Sequence, residues 1–276
     1  MPELPEVEVV RRGLERHLPG RTFTAFRSSG KELRTPVPET LMQAHLPGRR
    51  VTGVRRRAKY LLIELDSGAR LILHLGMTGK LGLFKQGSTP HKHDHLCWQL
   101  DNGFELRFND VRRFGSIRVA APEEVATLED SVFRTAGPEP FSDAFNGAYL
   151  KDRGKRRKQP VKNYIMDSRV VVGIGNIYAN ESLFAAGIRP TRKTGRISLA
   201  RWNRLVHEIR AVLSHAIECG GSTISDFLGA SGDRGYFQIH FKVYGRGGAP
   251  CPQCETIIRQ VKLGGRASFY CPTCQH

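Results

Sequence analysis

The chain has 276 residues, of which 39% are hydrophobic, and this length suits one large domain or two ordinary ones. Lys and Arg number 43 against 26 Asp and Glu, which gives a formal net charge of +17. Such an excess indicates a polyanionic partner, and nucleic acid is favoured over an anionic membrane surface because no basic amphipathic helix has a broad apolar face. The sequence contains no run of about 18 apolar residues, and its acidic, proline-rich N-terminal segment is unlike a signal peptide. We therefore expect a cytoplasmic protein without membrane contact.

The chain begins Met1-Pro2-Glu3-Leu4-Pro5-Glu6, and this start permits two interpretations. One is structural: proline and acidic residues suit the first turn of a helix, here predicted over residues 5–18 and stopped by Gly20. The other is chemical. Removal of Met1 would expose the secondary amine of Pro2, which is partly neutral at neutral pH and can condense with a sugar C1′. Glu3 and Glu6 would then place carboxylates beside that amine.

From about residue 22 to residue 121 the pattern is that of strands. Residues 60–65 and 70–75 flank a turn at 66–69, and residues 96–100 and 104–108 flank a turn that contains Asn-Gly. Residues 86–94 are predicted to form a long loop. The first part of the chain is therefore predicted to be a helix with an antiparallel β structure.

Helical periodicity follows a Gly-Pro-rich segment at 135–140. Ser142 is predicted to cap a helix that runs to about Arg153, and a second helix is predicted over residues 178–186. Ser198 is predicted to open a long amphipathic helix that ends at Gly220. A glycine-rich stretch at 222–237 could form a mobile loop on the substrate.

Four of the six cysteines form two CxxC pairs separated by sixteen residues: Cys251, Cys254, Cys271 and Cys274. This spacing favours one tetrahedral zinc site on a β-hairpin over two redox dithiols, and four protein ligands make the metal structural. Arg266 would lie at the turn of that hairpin, where it could face a phosphate. Cys97 and Cys219 are interpreted as packed thiols.

Three further segments are candidates for nucleic-acid contact. Residues 172–181 join an apolar run to a helix start that could bind phosphate or could be an ordinary tight turn. Basic runs at 55–57 and 154–158 could contact phosphates or form solvated surface. Phe114 beside Arg112, and Met77 nearby, suit insertion into a base stack, although an aromatic and a methionine can equally be core residues.

Several of these motifs occur in the order found in one known family. They are the Pro-Glu-Leu-Pro-Glu start, Arg-Arg-Ala-Lys-Tyr at 56–60, His-Leu-Gly-Met at 74–77, Arg-Arg-Phe-Gly at 112–115, Gly-Asn-Ile-Tyr at 175–178 and the four-cysteine tail. Together they resemble bacterial formamidopyrimidine-DNA glycosylase along essentially the whole chain. That resemblance implies a bifunctional glycosylase and AP lyase that excises oxidised purines, 8-oxoguanine and formamidopyrimidines, from damaged double-stranded DNA.

The resemblance implies a fold in the α+β class: an N-terminal antiparallel β-sandwich with flanking helices, then a helix-two-turn-helix domain and a zinc-finger hairpin. We place the catalytic domain at 1–133, a hinge at 134–141, the helical domain at 142–241 and the zinc finger at 242–276. A monomer is expected. The only cofactor implied is one structural Zn²⁺ held by the four cysteines.

The resemblance also assigns roles to single residues. Pro2 is similar to the Schiff-base nucleophile, Glu3 to the glycosylase proton donor, Lys59 to the β-elimination proton donor and Arg266 to the δ-elimination residue. The implied DNA contacts are His93, Arg112, Arg157 and Asn176, and the residues implied to fill the void left by the flipped base are Met77, Arg112 and Phe114.

Three positions depart from the family pattern. Arg157 stands where lysine is usual, Val111 where proline is common and Glu255 where glycine is common. The sister enzyme endonuclease VIII is an alternative that usually has Pro-Glu-Gly-Pro at the start and lacks the Arg-Arg-Phe-Gly loop. A non-catalytic architectural DNA-binding protein is a second alternative, which would not need Pro2, Glu3, Lys59 and Arg266 together.

Overall fold

The computed structural model describes residues 2–220, 227–228 and 241–276. The chain divides into two compact units. The first comprises Met1–Arg134 with Cys219–Gln238, and the second comprises Thr135–Glu218 with Ile239–His276.

The first unit begins with helix α1, Leu4–Glu15, which follows the predicted helix but ends three residues earlier. Glu3 is its N-cap, and the Glu6 carboxylate accepts a hydrogen bond from the Glu3 amide at 2.8 Å. This is a capping box, which supplies an acceptor to an amide that the helix itself leaves unpaired. Gly20 ends the segment with φ +83°, a conformation that costs glycine little.

Two antiparallel sheets form the body of the first unit. Their strands are β1 (Phe23–Ser28), β2 (Val51–Arg57), β3 (Tyr60–Leu65), β4 (Arg70–His74), β5 (Gly79–Lys85), β6 (Asp94–Leu100), β7 (Phe104–Asp110) and β8 (Ser116–Ala120). The four-stranded sheet has the order β2-β3-β4-β8, and the larger sheet has the order β1-β6-β7-β5, with residues 227–228 (β9) paired in parallel beside β5. Both hairpins predicted from the sequence are present, as β3–β4 and β6–β7.

A single core lies between the two sheets. It takes apolar side chains from both sheets and from α1, including Leu14, Leu61, Leu73, Trp98 and Phe108, all essentially inaccessible to solvent. Alternation along the strands sends these side chains inward, which is the pattern expected of a β-sandwich. The predicted sandwich with flanking helices is thereby confirmed. Two short helices that the periodicity did not predict, α2 (Glu39–His45) and α3 (Val125–Phe133), complete the unit.

The second unit is helical and ends in a hairpin. Its core packs around Trp202, Tyr164 and Tyr178. Its helices are α4 (Gly147–Gly154), α5 (Val161–Ile165), α6 (Asn176–Ala185) and α7 (Leu199–Glu218), and its hairpin strands are β10 (Arg259–Leu263) and β11 (Arg266–Tyr270). The expectation that Ser142 caps the first of these helices is wrong. Asn146 is the cap, because its side chain accepts a hydrogen bond from the Tyr149 amide at 2.9 Å.

Helices α5 and α6 are joined by successive turns over residues 166–175, which gives the helix-two-turn-helix arrangement implied by the resemblance. The loop expected at 222–237 lies outside the described residues, apart from the β9 backbone at 227–228. In the part of the chain that the structure covers, no helix is both long enough and apolar enough to cross a membrane.

Candidate active site and nucleic-acid interface

The N-terminal residues of the first unit are held in a buried position. Pro2 is buried, and Glu3 and Glu6 expose only 1% and 2% of their surface. A carboxylate is costly to bury unless it is hydrogen-bonded, and Glu6 meets that condition through the Glu3 amide. The capping box therefore fixes the backbone of Glu3 and orients the residue before it. Met1 lies outside the described residues.

Lys59 lies in the tight turn between β2 and β3. The preceding residue, Ala58, has φ +55°, a left-handed conformation that costs a residue with a Cβ. Such strain concentrates at functional sites because the surrounding structure must enforce it. Here the Arg56 guanidinium donates to the Ala58 carbonyl at 2.9 Å and to Glu8 at 3.0 Å, which ties the turn to helix α1.

His74, on the neighbouring strand β4, shares the environment of Lys59. Burial, and after it the positive charges of Lys59 and Arg34, lower the pKa of His74 from 6.5 to about 4. Its ring lies 4.7 Å from that of Tyr60, and Nδ1 accepts a hydrogen bond from the Gly76 amide at 3.0 Å. His74 is therefore neutral at pH 7 and acts as an acceptor that shapes the turn before Met77.

Asp110 organises the loop that carries Arg112 and Phe114. It is fully buried and accepts from the Gly115 amide at 2.7 Å and from the Thr78 hydroxyl. The Thr78 oxygen in turn accepts from the Arg112 amide at 3.0 Å. One carboxylate thus fixes both ends of the loop. This replaces the rigidity that a proline would give at Val111, which is 56% exposed.

The three residues expected to fill a void come from two adjacent segments of this unit. The Arg112 guanidinium lies 4.6 Å from the Phe114 ring centroid, and Phe114 is 43% exposed, so the core interpretation of Phe114 is wrong. Gly76, next to Met77, approaches the Phe114 backbone so closely that a Cβ would lie 2.3 Å from its carbonyl carbon. That approach brings the Met77 turn against the Phe114 loop.

His93 lies at the end of the 86–94 loop, which a buried arginine organises. Arg107, 2% exposed, donates to the Ser88 carbonyl at 2.6 Å and to the Thr89 carbonyl at 3.1 Å. It also contacts Asp94 at 3.4 Å, and Asp94 accepts from the His91 amide at 2.8 Å. The loop is therefore tied to strand β7.

In the second unit, Asn176 is the first residue of α6. The unpaired amides at the N-terminus of this helix favour binding of an anion. Its Oδ1 is buried and has no hydrogen-bond partner among the described residues. Arg157 is exposed, with its guanidinium 5.7 Å from the Tyr164 ring centroid. The Arg157 guanidinium therefore keeps the positive charge of the usual lysine and is within cation–π distance of an aromatic ring.

The four cysteines of the tail converge in the second unit. Their sulfurs all lie within 4.8 Å of one another, with Cys254–Cys271 and Cys254–Cys274 at 3.4 Å and Cys251–Cys274 at 3.9 Å. A tetrahedral zinc with Zn–S bonds of about 2.3 Å requires sulfurs about 3.8 Å apart. The donor set therefore fits zinc, and four thiolates leave no open coordination position.

The hairpin that carries Arg266 is fixed to helices α5 and α6. Arg266 follows a two-glycine turn and is exposed. Lys162 on α5 is fully buried, and its ammonium donates to the Ala267 carbonyl at 2.8 Å and to the Ser268 hydroxyl at 2.6 Å. Asn180 on α6 accepts from the Phe269 amide at 2.8 Å. These contacts place Arg266 relative to Asn176.

Within the first unit, the structure brings the Met77 turn against the loop of Arg112 and Phe114. Within the second, it fixes the hairpin of Arg266 to the helix that begins at Asn176. Three buried side chains whose structural roles were not predicted from the sequence hold these segments: Arg107, Asp110 and Lys162. Their sequence signal is a charged residue inside an apolar strand or helix, and that signal does not identify a partner.

Comparison with known proteins shows the family. Residues 1–117 match the formamidopyrimidine-DNA glycosylase N-terminal domain, residues 136–228 the H2TH domain of the same enzyme, and residues 248–276 the zinc finger found in FPG and IleRS. Formamidopyrimidine-DNA glycosylases of Hahella chejuensis and Alcanivorax borkumensis are 48% and 49% identical, over 100% of both chains in each case.

Solved structures agree with this comparison. Lactococcus lactis Fpg in complex with abasic-site DNA is 31% identical, with a TM-score of 0.88 over 99% of both chains. MutM in complex with DNA containing carbocyclic 8-oxo-G is 32% identical, with a TM-score of 0.89 over 100% of both chains. The sandwich, the helix-two-turn-helix element and the cysteine hairpin thus define a DNA repair glycosylase with a zinc finger. The chain belongs to the formamidopyrimidine-DNA glycosylase family, whose activities include that of an AP lyase.

The environment of His74 predicts a pH dependence of stability. The unfolded imidazole titrates near 6.5 and the folded one near 4, so the unfolded state binds more protons between these values. Stability should therefore fall as the pH drops from 6.5 to 4, by up to about 3 kcal/mol from this group. His74→Asn keeps an acceptor but cannot titrate, so urea unfolding at pH 7 and pH 4.5 should show a smaller loss for the variant. An equal loss in both proteins would contradict this assignment.

The first zinc knuckle predicts a stabilising substitution. Glu255 has φ +61° where the family commonly has glycine, and its side chain is exposed. Glu255→Gly should relieve the left-handed strain and raise stability by about 1 kcal/mol, measured by thermal unfolding and by the rate of zinc loss to a chelator. Gln253→Gly in the same knuckle, where φ is not positive, is the control and should give no gain. A Glu255→Gly protein no more stable than wild type would contradict the prediction that the left-handed backbone of Glu255 destabilises the knuckle.

Proposed function

We propose that this enzyme excises oxidised purines, 8-oxoguanine and formamidopyrimidines, from duplex DNA and then cuts the strand through a Schiff base on Pro2. The observation that carries the proposal is the buried pair of Pro2 and Glu3, held at the start of α1 by Glu6. Glu3 is 1% exposed and directly follows Pro2 in the chain, so a proton donor stands next to the proposed nucleophile.

The first step is base release. After removal of Met1, the Pro2 nitrogen attacks C1′ of the damaged nucleotide while the bond from C1′ to the base breaks. Glu3 supplies a proton as the base departs. The bond between C1′ and the ring oxygen O4′ then breaks, and the proton of the Pro2 nitrogen passes to O4′, which stays on C4′ as a hydroxyl. A cationic iminium between Pro2 and C1′ results.

The iminium then drives strand cleavage. It withdraws electrons from C2′, so a C2′ proton is lost and the bond between C3′ and its phosphate oxygen breaks. Lys59 serves this β-elimination as a proton carrier. Loss of a further proton at C4′ breaks the bond between C5′ and its phosphate oxygen, and Arg266 assists this δ-elimination. Water hydrolyses the iminium and regenerates the free amine.

DNA binding places the lesion for this chemistry. His93 and Arg112 in the first unit, and Arg157, Asn176 and Arg266 in the second, are proposed as DNA contacts. The exposed Phe114 with its Arg112 neighbour, together with Met77, would occupy the space left by the extruded base. The relatives crystallised with abasic-site DNA and with 8-oxo-G DNA support this substrate class.

Zinc would be held by Cys251, Cys254, Cys271 and Cys274, where its role is to maintain the hairpin that presents Arg266. Hairpin folding and metal binding are then a single event. We propose that the enzyme acts in the cytoplasm as a monomer.

The test of the mechanism is covalent trapping. Borohydride should reduce the iminium and crosslink the protein that begins at Pro2 to an 8-oxoguanine duplex, as seen by a shift on a denaturing gel. A protein that retains Met1 should not crosslink, because its Pro2 nitrogen is an amide without an available lone pair. Pro2→Gly, which keeps a free amine, is the control and should crosslink weakly. Equal crosslinking with Met1 retained would contradict the proposal.

Two variants separate the positioning of DNA from the probing of its bases. Asn176→Ala should weaken binding to damaged and undamaged duplex alike, because a phosphate contact carries no sequence or lesion information. Phe114→Ala should leave undamaged binding nearly unchanged and reduce lesion excision, because wedge insertion is needed only for extrusion. Fluorescence anisotropy and single-turnover excision measure the two effects. The reverse pattern would show that the two roles are exchanged.

A further inference from the structure

Arg56 joins the two elements that carry the proposed catalytic groups of the first unit. Helix α1 carries Pro2 and Glu3 at its start, and the turn that follows β2 carries Lys59. The proposed function uses Lys59 and gives no role to the arginines that precede it in the chain. The contacts of Arg56 with both elements distinguish it from its neighbours.

Helix α1 lies against β2, an outer strand of the four-stranded sheet. The Val54 amide donates to Oε2 of Glu15 at 3.0 Å, which satisfies a backbone group at the edge of the sheet. Seven residues earlier on α1, Oε2 of Glu8 accepts a hydrogen bond from Nε of Arg56 at 3.0 Å. The side chains of Glu8 and Arg56 are only 13% and 11% exposed, so water and salt screen this ion pair little.

The Glu8 carboxylate is held in one orientation by residues of its own helix. Arg11 donates from Nε at 3.1 Å and from Nη2 at 2.9 Å, and Arg12 donates from Nε at 3.2 Å. Burial raises the pKa of Glu8, but the hydrogen bonds and charges of Arg11 and Arg56 outweigh burial and hold this pKa below 4.5. Glu8 is therefore ionised at neutral pH and gives Arg56 a charged, oriented acceptor.

The same guanidinium contacts the turn that carries Lys59. Nη1 of Arg56 donates to the Ala58 carbonyl at 2.9 Å. Ala58 has φ +55°, a conformation that a residue with a Cβ adopts only where its surroundings enforce it. The donors of a guanidinium point in fixed directions, so Arg56 can bond Glu8 and the Ala58 carbonyl at once. A lysine in its place would carry the same charge without that fork.

The preceding residue, Arg55, has a different environment. Successive side chains of a strand point to opposite faces of the sheet. Arg55 is 57% exposed and forms its salt bridge with Glu64 on β3, at 2.7 Å, rather than with α1. An exposed pair of this kind contributes little to stability. Arg55 is therefore a matched control for Arg56, with the same residue type on the same strand.

We propose that Arg56 is a positioning residue for strand cleavage. It holds the Lys59 turn in its left-handed conformation and fixes that turn to the helix that carries Pro2, a role that rests on the proposed function. β-Elimination needs both groups at one nucleotide, because the iminium on Pro2 acidifies C2′ and Lys59 carries the proton. A misplacement of about 1 Å between such groups can lower a rate about a hundredfold. Base release uses groups on α1 alone and depends less on Arg56.

The experiment uses the zinc-loaded full chain that begins at Pro2, under single-turnover conditions. An 8-oxoguanine duplex reports base release after heating in alkali, and an abasic-site duplex without alkali reports strand cleavage. Arg56→Lys keeps the charge but cannot bond both acceptors, so it should slow strand cleavage about tenfold. Base release should be nearly unchanged in this variant. Arg55→Lys should change neither rate.

Glycine at position 58 separates positioning from a general loss of stability. Glycine adopts a positive φ at little cost, so the turn would need the Arg56 contact less. The double variant with Arg56→Lys and Ala58→Gly should therefore recover most of the lost cleavage rate. Glu8→Gln removes the charge on α1 and leaves the contact of Arg56 with the Ala58 carbonyl. It should slow cleavage by a smaller factor, and Ala58→Gly should not restore that loss.

Three results would overturn the proposal for Arg56: strand cleavage by Arg56→Lys at the wild-type rate, an equal loss in Arg55→Lys, or a loss that Ala58→Gly fails to restore. Failure of the proposed function is visible in the wild type alone, as absence of base release or of a borohydride crosslink through Pro2. The two failures are therefore distinguishable, because the effect of Arg56 is read only as a ratio to an active wild type.

Discussion

The hydrogen bond from the Glu3 amide to the Glu6 carboxylate is the contact on which the proposed chemistry depends. An N-terminus is usually mobile, because nothing pairs its backbone groups. Here a capping box starts α1 at Leu4, and the apolar face of α1 packs into the sandwich core. Glu3 and Pro2 are thereby held in place by the packed core. A nucleophile held in this way loses little entropy when it attacks.

The same principle recurs at each proposed contact. Asp110 fixes the loop of Arg112 and Phe114, Arg107 fixes the loop that ends at His93, and Lys162 fixes the hairpin of Arg266. Each anchor is a buried charged group whose burial is offset by hydrogen bonds. The exposed residues that would meet DNA are therefore carried by segments with little freedom, which favours specificity over adaptability.

Much of the fold and of the candidate site could be predicted from the sequence, because the signals are local. Residue alternation and an Asn-Gly turn define the hairpins, heptad-like spacing defines α7, and CxxC spacing defines the zinc ligands. What could not be predicted depends on tertiary contacts. Helices α2, α3 and α5 are too short to show a clear hydrophobic period. Asn146 rather than Ser142 caps α4, because it is the Asn146 side chain that accepts a hydrogen bond from the Tyr149 amide. The anchors Arg107 and Lys162 have distant partners, among them Thr89, 18 residues from Arg107, and Ser268, 106 residues from Lys162.

The identity of the nucleophile is the central claim, and Lys59 is its competitor, since a lysine near other cations can also be neutral and form a Schiff base. Mass spectrometry of the borohydride-trapped peptide distinguishes the two most directly. The reduced sugar remnant should map to the N-terminal peptide and to the nitrogen of Pro2. A remnant on the peptide that contains Lys59, with Pro2 unmodified, would contradict this assignment.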